Sequence, residues 1–209
     1  MEAYIYTIIF LMGSFFGSFF TLAVYRIPLH KNITHEHSFC PNCNHKLGIL
    51  DLMPIFSYIF LRGKCRYCSQ KIRIRYLLLE VLSGIVFVLL FSGMEINLLN
   101  IEITKIISFT FLVLIYCALA INAGIAKEKK QYQKSVTIFG LITLAVYILY
   151  LCIVEMANIY RYAIYIIALL ISIIAYFVLN LISKRRDINK YFIINIVNIF
   201  LLIIANYII

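Results

Sequence analysis

Residues 4–28 read YIYTIIFLMGSFFGSFFTLAVYRIP. No charge interrupts this run before Arg26, and Pro28 then stops a helix from continuing. About 20 mainly apolar residues suffice to cross a bilayer as a helix. The run lacks a basic leading segment and stays apolar for longer than a signal-peptide core, so it reads as a retained membrane helix over 4–25. Five further apolar stretches follow at 77–94, 104–125, 135–154, 162–183 and 191–209. Six such stretches leave no polar shell in which to bury them as soluble core helices. The composition agrees: 64% hydrophobic, 13% charged, mean hydropathy +0.96, against roughly half apolar in soluble domains. All three prolines (Pro28, Pro41, Pro54) fall in one polar stretch. The fold expected is therefore an all-α integral membrane protein of about six transmembrane helices. Helix one occupies 1–25, a small insert 26–76, and a membrane domain of about five helices 77–209.

Charge gives an orientation. Of the 19 Lys and Arg, nine lie between Arg26 and Arg75, four between Lys127 and Lys134, and four between Lys184 and Lys190. Lys105 and Arg161 fall on the alternate loops. Basic loops stay in the cytoplasm. The reading is a multi-pass protein with both termini outside and the insert inside. The net charge of +10 is then accounted for by topology and by anionic lipid head groups, and nucleic acid is not an expected partner.

The insert carries Cys40-Pro41-Asn42-Cys43 and Cys65-Arg66-Tyr67-Cys68. Each Cys-x-x-Cys sets two thiolates on a tight turn, and two such turns supply the four sulfurs of a tetrahedral zinc site. The 21 residues between the pairs suit a zinc ribbon or knuckle. A cytoplasmic insert keeps its thiols reduced, which favours metal over the alternative of disulfides. His45 is read as a surface histidine. Cys117 and Cys152 lie in apolar helices and read as small core residues.

Other residues support two readings each. Gly17 and Ser18 let helix one approach a neighbour closely, as packing or as part of a site. Arg26 is expected as a cation at the inner surface. Asp51, before Met53-Pro54, suits a turn or cap. The apolar, aromatic segment Pro54–Leu61 either packs on the zinc knuckle or lies in the membrane interface. Glu80 sits near the start of an apolar helix, where ionisable groups are costly and often functional. It either pairs with Arg73 or Arg75 or lines a substrate or cofactor site.

One order of motifs now stands out. Gly17 to Pro28 (GSFFTLAVYRIP) is followed by the first cysteine pair, Asp51-Leu52-Met53-Pro54, Leu61-Arg62-Gly63-Lys64-Cys65, the second pair, and Ile74-Arg75-Tyr76 before Glu80. Over about residues 13–84 this resembles the N-terminal part of type IV prepilin peptidases. The departure is Thr21, where that family usually has Asn. The resemblance implies an integral enzyme of the bacterial cytoplasmic (inner) membrane that cuts the leader from prepilin-like proteins and N-methylates the new terminus. It implies S-adenosylmethionine as methyl donor, although no Gly-rich nucleotide loop is present. It further implies two aspartates at cytoplasmic helix ends. This chain has two aspartates in all, Asp51 and Asp187. The first family position falls near Ala126, where the nearest acid is Glu128 in a Lys-rich loop. The second falls on Asp187 in Lys184-Arg185-Arg186-Asp187, where arginines replace the family's glycines.

Candidate catalytic acids are thus Asp187, Glu128 and Glu80; candidate metal ligands are Cys40, Cys43, Cys65 and Cys68. Arg185 and Arg186 would keep Asp187 ionised, which opposes the shared proton of an aspartic pair. The favoured expectation is a divergent family member that acts on or binds prepilin-like proteins, its peptidase activity impaired or lost. Two alternatives stand beside it: a working peptidase using Asp187 with Glu128, and a non-enzymatic membrane zinc protein of pilus or competence assembly.

Overall fold

The computed structural model describes residues 2–33, 37–94, 96, 102–129 and 133–154, together with Ile167, Leu170 and Ile174. Among these the chain is helical, with no strand. Helices α1 (Glu2–Arg26), α2 (Phe56–Phe60), α3 (Ile74–Gly93), α4 (Ile103–Lys129) and α5 (Lys134–Val154) follow one another, with single 3-10 turns at Ile27–Leu29 and Ile49–Asp51. α1, α3, α4 and α5 are long and apolar enough to cross a membrane. They correspond to the first four expected spans. The last two, 162–183 and 191–209, lie outside the described residues, apart from the three helical positions 167, 170 and 174. Helix α3 starts at Ile74, ahead of the apolar run at 77.

The chain forms two compact units, Met1–Phe91 and Ser92–Ile209. In the first, α1 and α3 are antiparallel. Gly13 faces Ser83, Gly84 and Phe87, and Gly17 faces Leu79, Glu80 and Ser83. Tyr6 meets Phe91 edge-on with ring centroids 6.0 Å apart, and Phe16 meets Phe87 at 5.3 Å. Gly13 and Gly17 are four residues apart, so they stack on one helix face and let the backbones approach. A Cβ on Gly17 would come within 2.7 Å of the Glu80 Cα and 2.8 Å of the Leu79 carbonyl. Both are backbone atoms and neither can swing aside.

Helix α3 buries Glu80, Ser83, Gly84, Phe87 and Leu90 and exposes Leu78, Leu82, Ile85 and Leu89. Polar and small residues inside with leucines outside is the wrong way round for water. It is the right way round for lipid, where close packing and polar contacts join helices and apolar chains face out. The protein is a membrane protein.

The second unit repeats the logic. Gly140 of α5 lies against Ala118 of α4, and Phe111 stacks on Tyr147 at 5.3 Å. Asn122 is buried and accepts from the Gln133 amide at 3.3 Å and from the Thr137 hydroxyl at 3.5 Å. One Asn side chain thereby ties α4 to the start of α5.

Gly17→Ala is expected to destabilise the fold by roughly 1–3 kcal/mol through overpacking. Gly48→Ala, where the nearest atom to a new Cβ is 3.7 Å away, should stay within about 0.5 kcal/mol of the parent. Thermal unfolding in detergent micelles separates the two, and equal stabilities would contradict the tight crossing.

Candidate metal centre and the Glu80 junction

The segment between α1 and α3 is built from two copies of one small turn. In the first, the Cys40 amide donates to the His45 carbonyl at 3.0 Å and the Asn44 amide to the Cys40 carbonyl at 2.8 Å. In the second, the Cys65 amide donates to the Gln70 carbonyl at 2.8 Å and the Ser69 amide to the Cys65 carbonyl at 3.0 Å. A single antiparallel bridge closes each, Phe39 with Lys46 and Lys64 with Lys71. Each also turns through one left-handed residue just after its second cysteine, Asn44 (φ 56°) and Ser69 (φ 57°). Asn adopts this conformation more readily than most residues. These are zinc-knuckle turns, with no ribbon strands among the described residues.

The two turns bring all four sulfurs together. The Sγ atoms of Cys40, Cys43, Cys65 and Cys68 lie within 4.8 Å of one another, and Cys40 and Cys68 Sγ are 3.8 Å apart. A zinc ion at about 2.3 Å from each sulfur needs sulfurs separated by about 3.8 Å. The cluster therefore fits a metal such as zinc. His45 is not part of it: its ring stacks on Tyr67 at 3.6 Å, tying one knuckle to the other.

The backbone prepares the thiolates. The Gln70 amide, then the Asn42 side chain, draw the Cys68 thiol down to about 6. Cys43 receives the His45 amide, yet burial and the neighbouring Cys40 and Cys68 sulfurs push it up to about 11. Crowded sulfurs thus resist full ionisation, and a divalent cation at their centre removes that conflict.

Asp51 locks the arrangement. Burial acts to raise its carboxyl, but the Arg66 guanidinium, the Gly48 amide and the Tyr67 hydroxyl hold it below the usual range. Arg66 Nε donates to Oδ1 at 2.7 Å; the Gly48 amide and Tyr67 hydroxyl donate to Oδ2, each at 3.2 Å. The expected cap is present, and it also reaches across to the second knuckle. Arg26, expected at the membrane surface, is instead buried. Its guanidinium donates to the carbonyls of Asn32, Ile33 and His37 at 3.0–3.2 Å, so it organises the chain leaving α1.

Glu80 joins α1, α3 and the insert. Its Oε2 accepts the Ile55 amide at 2.8 Å, and its carboxylate also hydrogen-bonds Ser18. Ile55 adopts φ 63°, ψ −54°, and the Phe56 amide donates to the Pro54 carbonyl at 2.6 Å. That is a γ-turn of the rare, strained hand, here on a β-branched residue. The Ile55 amide as a partner of Glu80 was invisible in the sequence.

Glu128 is exposed near the end of α4, and Ala126 is helical two residues before it. Asp187 lies outside the described residues.

Residues 11–94 match the family model of the Bacterial Peptidase A24 N-terminal domain. The chain is similar to the prepilin leader peptidase/N-methyltransferase of Klebsiella pneumoniae, 39% identical over 87 residues, covering 39% of this chain and 38% of that protein. The corresponding protein of Myxococcus xanthus is 38% identical over 79 residues, covering 38% and 24%, and that of Bacillus subtilis 38% over 81 residues, covering 39% and 33%. The chain thus spans well under half the length of these curated relatives. No solved structure matches it.

Two measurements check the centre. Purified protein should carry one zinc per chain with an all-sulfur absorption spectrum; Cys65→Ser should weaken zinc at least about tenfold, and Cys117→Ser should not. Asp51→Asn should cost the insert roughly 1–2 kcal/mol, discounted because half of Arg66 faces solvent. Because folding lowers the Asp51 carboxyl, its contribution is complete above about pH 4 and is lost as pH falls through the still lower folded value. Unfolding of the insert during denaturant titration at several pH values, monitored by circular dichroism with and without chelator, follows this, and a parent–variant difference unchanged down to strong acid would contradict it.

Proposed function

We propose that the chain, whose residues 11–94 match the family model of the Bacterial Peptidase A24 N-terminal domain, is a divergent prepilin leader peptidase/N-methyltransferase homologue. It acts on or binds type IV prepilin-like proteins at the cytoplasmic face of a bacterial inner membrane. Its leader-peptidase activity is impaired or lost. The basic residues of the insert and of the loops at 127–134 and 184–190 support both termini outside and the four-cysteine centre inside. In this reading the centre holds zinc structurally: four thiolates leave no open position for substrate.

The observation that carries the impaired reading is the commitment of Asp51. An aspartic peptidase needs two carboxyl groups sharing one proton around a water. The sequence has two aspartates, and Asp51 is held by Arg66, Gly48 and Tyr67 as part of the knuckle fold. An atypical pair would have to join Asp187 to a glutamate. Glu128 is exposed and stands beside Lys127, Lys129 and Lys130 in the sequence. Glu80 faces the insert rather than a loop end, which suits positioning of a bound segment more than proton transfer. Methyl transfer from S-adenosylmethionine rests on the family resemblance.

The test is cleavage and methylation of a type IV prepilin-like substrate by the full chain in membranes. Leader cleavage should be absent or at least about a hundredfold below a family peptidase, and Asp187→Asn should leave any residual activity unchanged. Robust cleavage that vanishes in Asp187→Asn would restore a working peptidase. No cleavage, no methylation and no prepilin binding would leave a non-enzymatic membrane zinc protein.

A further inference from the structure

The insert exposes an apolar surface that its own fold does not use. Ile49 and Leu50 are 86% and 68% exposed, and Ile59 and Phe60 are 61% and 80% exposed. Phe56 adds to the same segment. With Leu52 and Met53, seven exposed large apolar side chains lie within twelve residues, on a domain whose structural work is done by sulfurs and hydrogen bonds, and they call for an apolar partner.

The Glu80 junction says where this segment sits. The Ile55 amide, one residue before α2, is hydrogen-bonded to Glu80. Glu80 lies six residues into α3, about 9 Å along its axis. It is level with Gly17, nine residues before the end of α1, about 13 Å along that helix. The segment therefore does not stand clear of the helix ends. It folds back beside them, to the level where two membrane-spanning helices enter the acyl region. Backbone at that depth must find its partners within the protein, and the Ile55 amide has found one in Glu80. Charge is complementary as well: Lys31, Arg62, Lys64, Lys71 and Arg73 are exposed, and the acid of this segment, Asp51, is already paired with Arg66.

We propose that residues 49–60 form a lipid-inserted anchor. Leu50, Phe56, Ile59 and Phe60 lie at the boundary between head groups and acyl chains, in contact with lipid. The surrounding cations meet anionic head groups. The anchor holds the four-cysteine centre against the membrane surface, and the strained turn at Ile55, fixed by Glu80, sets the apolar side of α2 outward.

The chain contains no tryptophan, so one introduced tryptophan reports alone. Phe60→Trp and Leu50→Trp are made in the full chain, reconstituted in phosphatidylethanolamine–phosphatidylglycerol vesicles. Leu89→Trp, on the exposed face of α3, marks the acyl region, and Lys46→Trp, on the exposed rim of the first knuckle, marks water. Lipid brominated near the head-group end of the acyl chain should quench Phe60→Trp and Leu50→Trp to within about twofold of Leu89→Trp, with little quenching by aqueous iodide. Lys46→Trp should behave oppositely. Iodide quenching of both anchor tryptophans without lipid quenching, while Leu89→Trp still meets lipid, overturns the anchor and leaves the segment in water. Blue-shifted emission with neither quencher effective also overturns it, because protein then covers the segment. Failure of lipid quenching at Leu89→Trp as well would remove the membrane placement of α3 on which the anchor rests.

Discussion

A single buried carboxylate ties the first unit together. Glu80 stands on α3, faces Gly17 and Ser18 of α1, and accepts the amide of Ile55 from the insert. A carboxyl group taken out of water is costly unless hydrogen bonds replace its hydration. Here the replacements come from two other elements. Removing any one of the three therefore leaves a buried polar group unmet, so the helix pair and the insert are energetically one object. Gly17 matters for the same reason. Its missing Cβ lets α1 come close enough for Ser18 to reach the carboxylate.

The insert solves a different problem. Some forty-odd residues between two spans are too few to bury a self-sufficient apolar core. Two knuckle turns, related by the shift from Cys40 to Cys65 and from Cys43 to Cys68, place four sulfurs at the spacing a tetrahedral metal needs. The links between the turns are polar or aromatic: Asp51 to Arg66 and Tyr67, and His45 stacked on Tyr67. Metal binding and folding are then coupled, since the ligands converge only when both turns and the Asp51 clamp are formed. With its interior occupied this way, the insert has no use for Leu50, Ile59 or Phe60 as core, which is why they remain on its surface.

Much of this was legible in the sequence, for reasons of chemistry. Apolar runs betray membrane helices because lipid tolerates few charges over about 20 residues. Cys-x-x-Cys betrays a metal turn because its spacing is a geometric requirement. Asp51 read as a cap, and Gly17 as a close-packing position. What stayed hidden depends on contacts that leave no pattern. An amide donor such as Ile55 is present at every non-proline residue, so nothing in the sequence singles it out as the partner of Glu80. Arg26 looked like a surface cation because its carbonyl partners are likewise anonymous. Asn122, buried against Thr137 and the Gln133 amide, passed unnoticed in an otherwise apolar run. The Gly13–Gly17 register against Ser83 and Gly84 emerges only once the two helices are paired.

The same distinction governs the catalytic question. A carboxylate is easy to find in a chain with nine acidic residues; a carboxylate free to share a proton is not. Asp51 accepts three hydrogen bonds, one from a guanidinium, and each favours its ionised form. Glu80 accepts a backbone amide and sits between α1 and α3. Both are acids that the fold already uses. Chemistry requires an acid that the fold leaves in reserve, close to a second one and screened from cations. In the proposed reading, the acids at the two remaining loop positions, Glu128 and Asp187, stand beside lysines and arginines in the sequence, which opposes that condition. Structural acids held by the fold, and loop acids set beside lysines and arginines in the sequence, are the physical content of the proposed divergence from a leader peptidase.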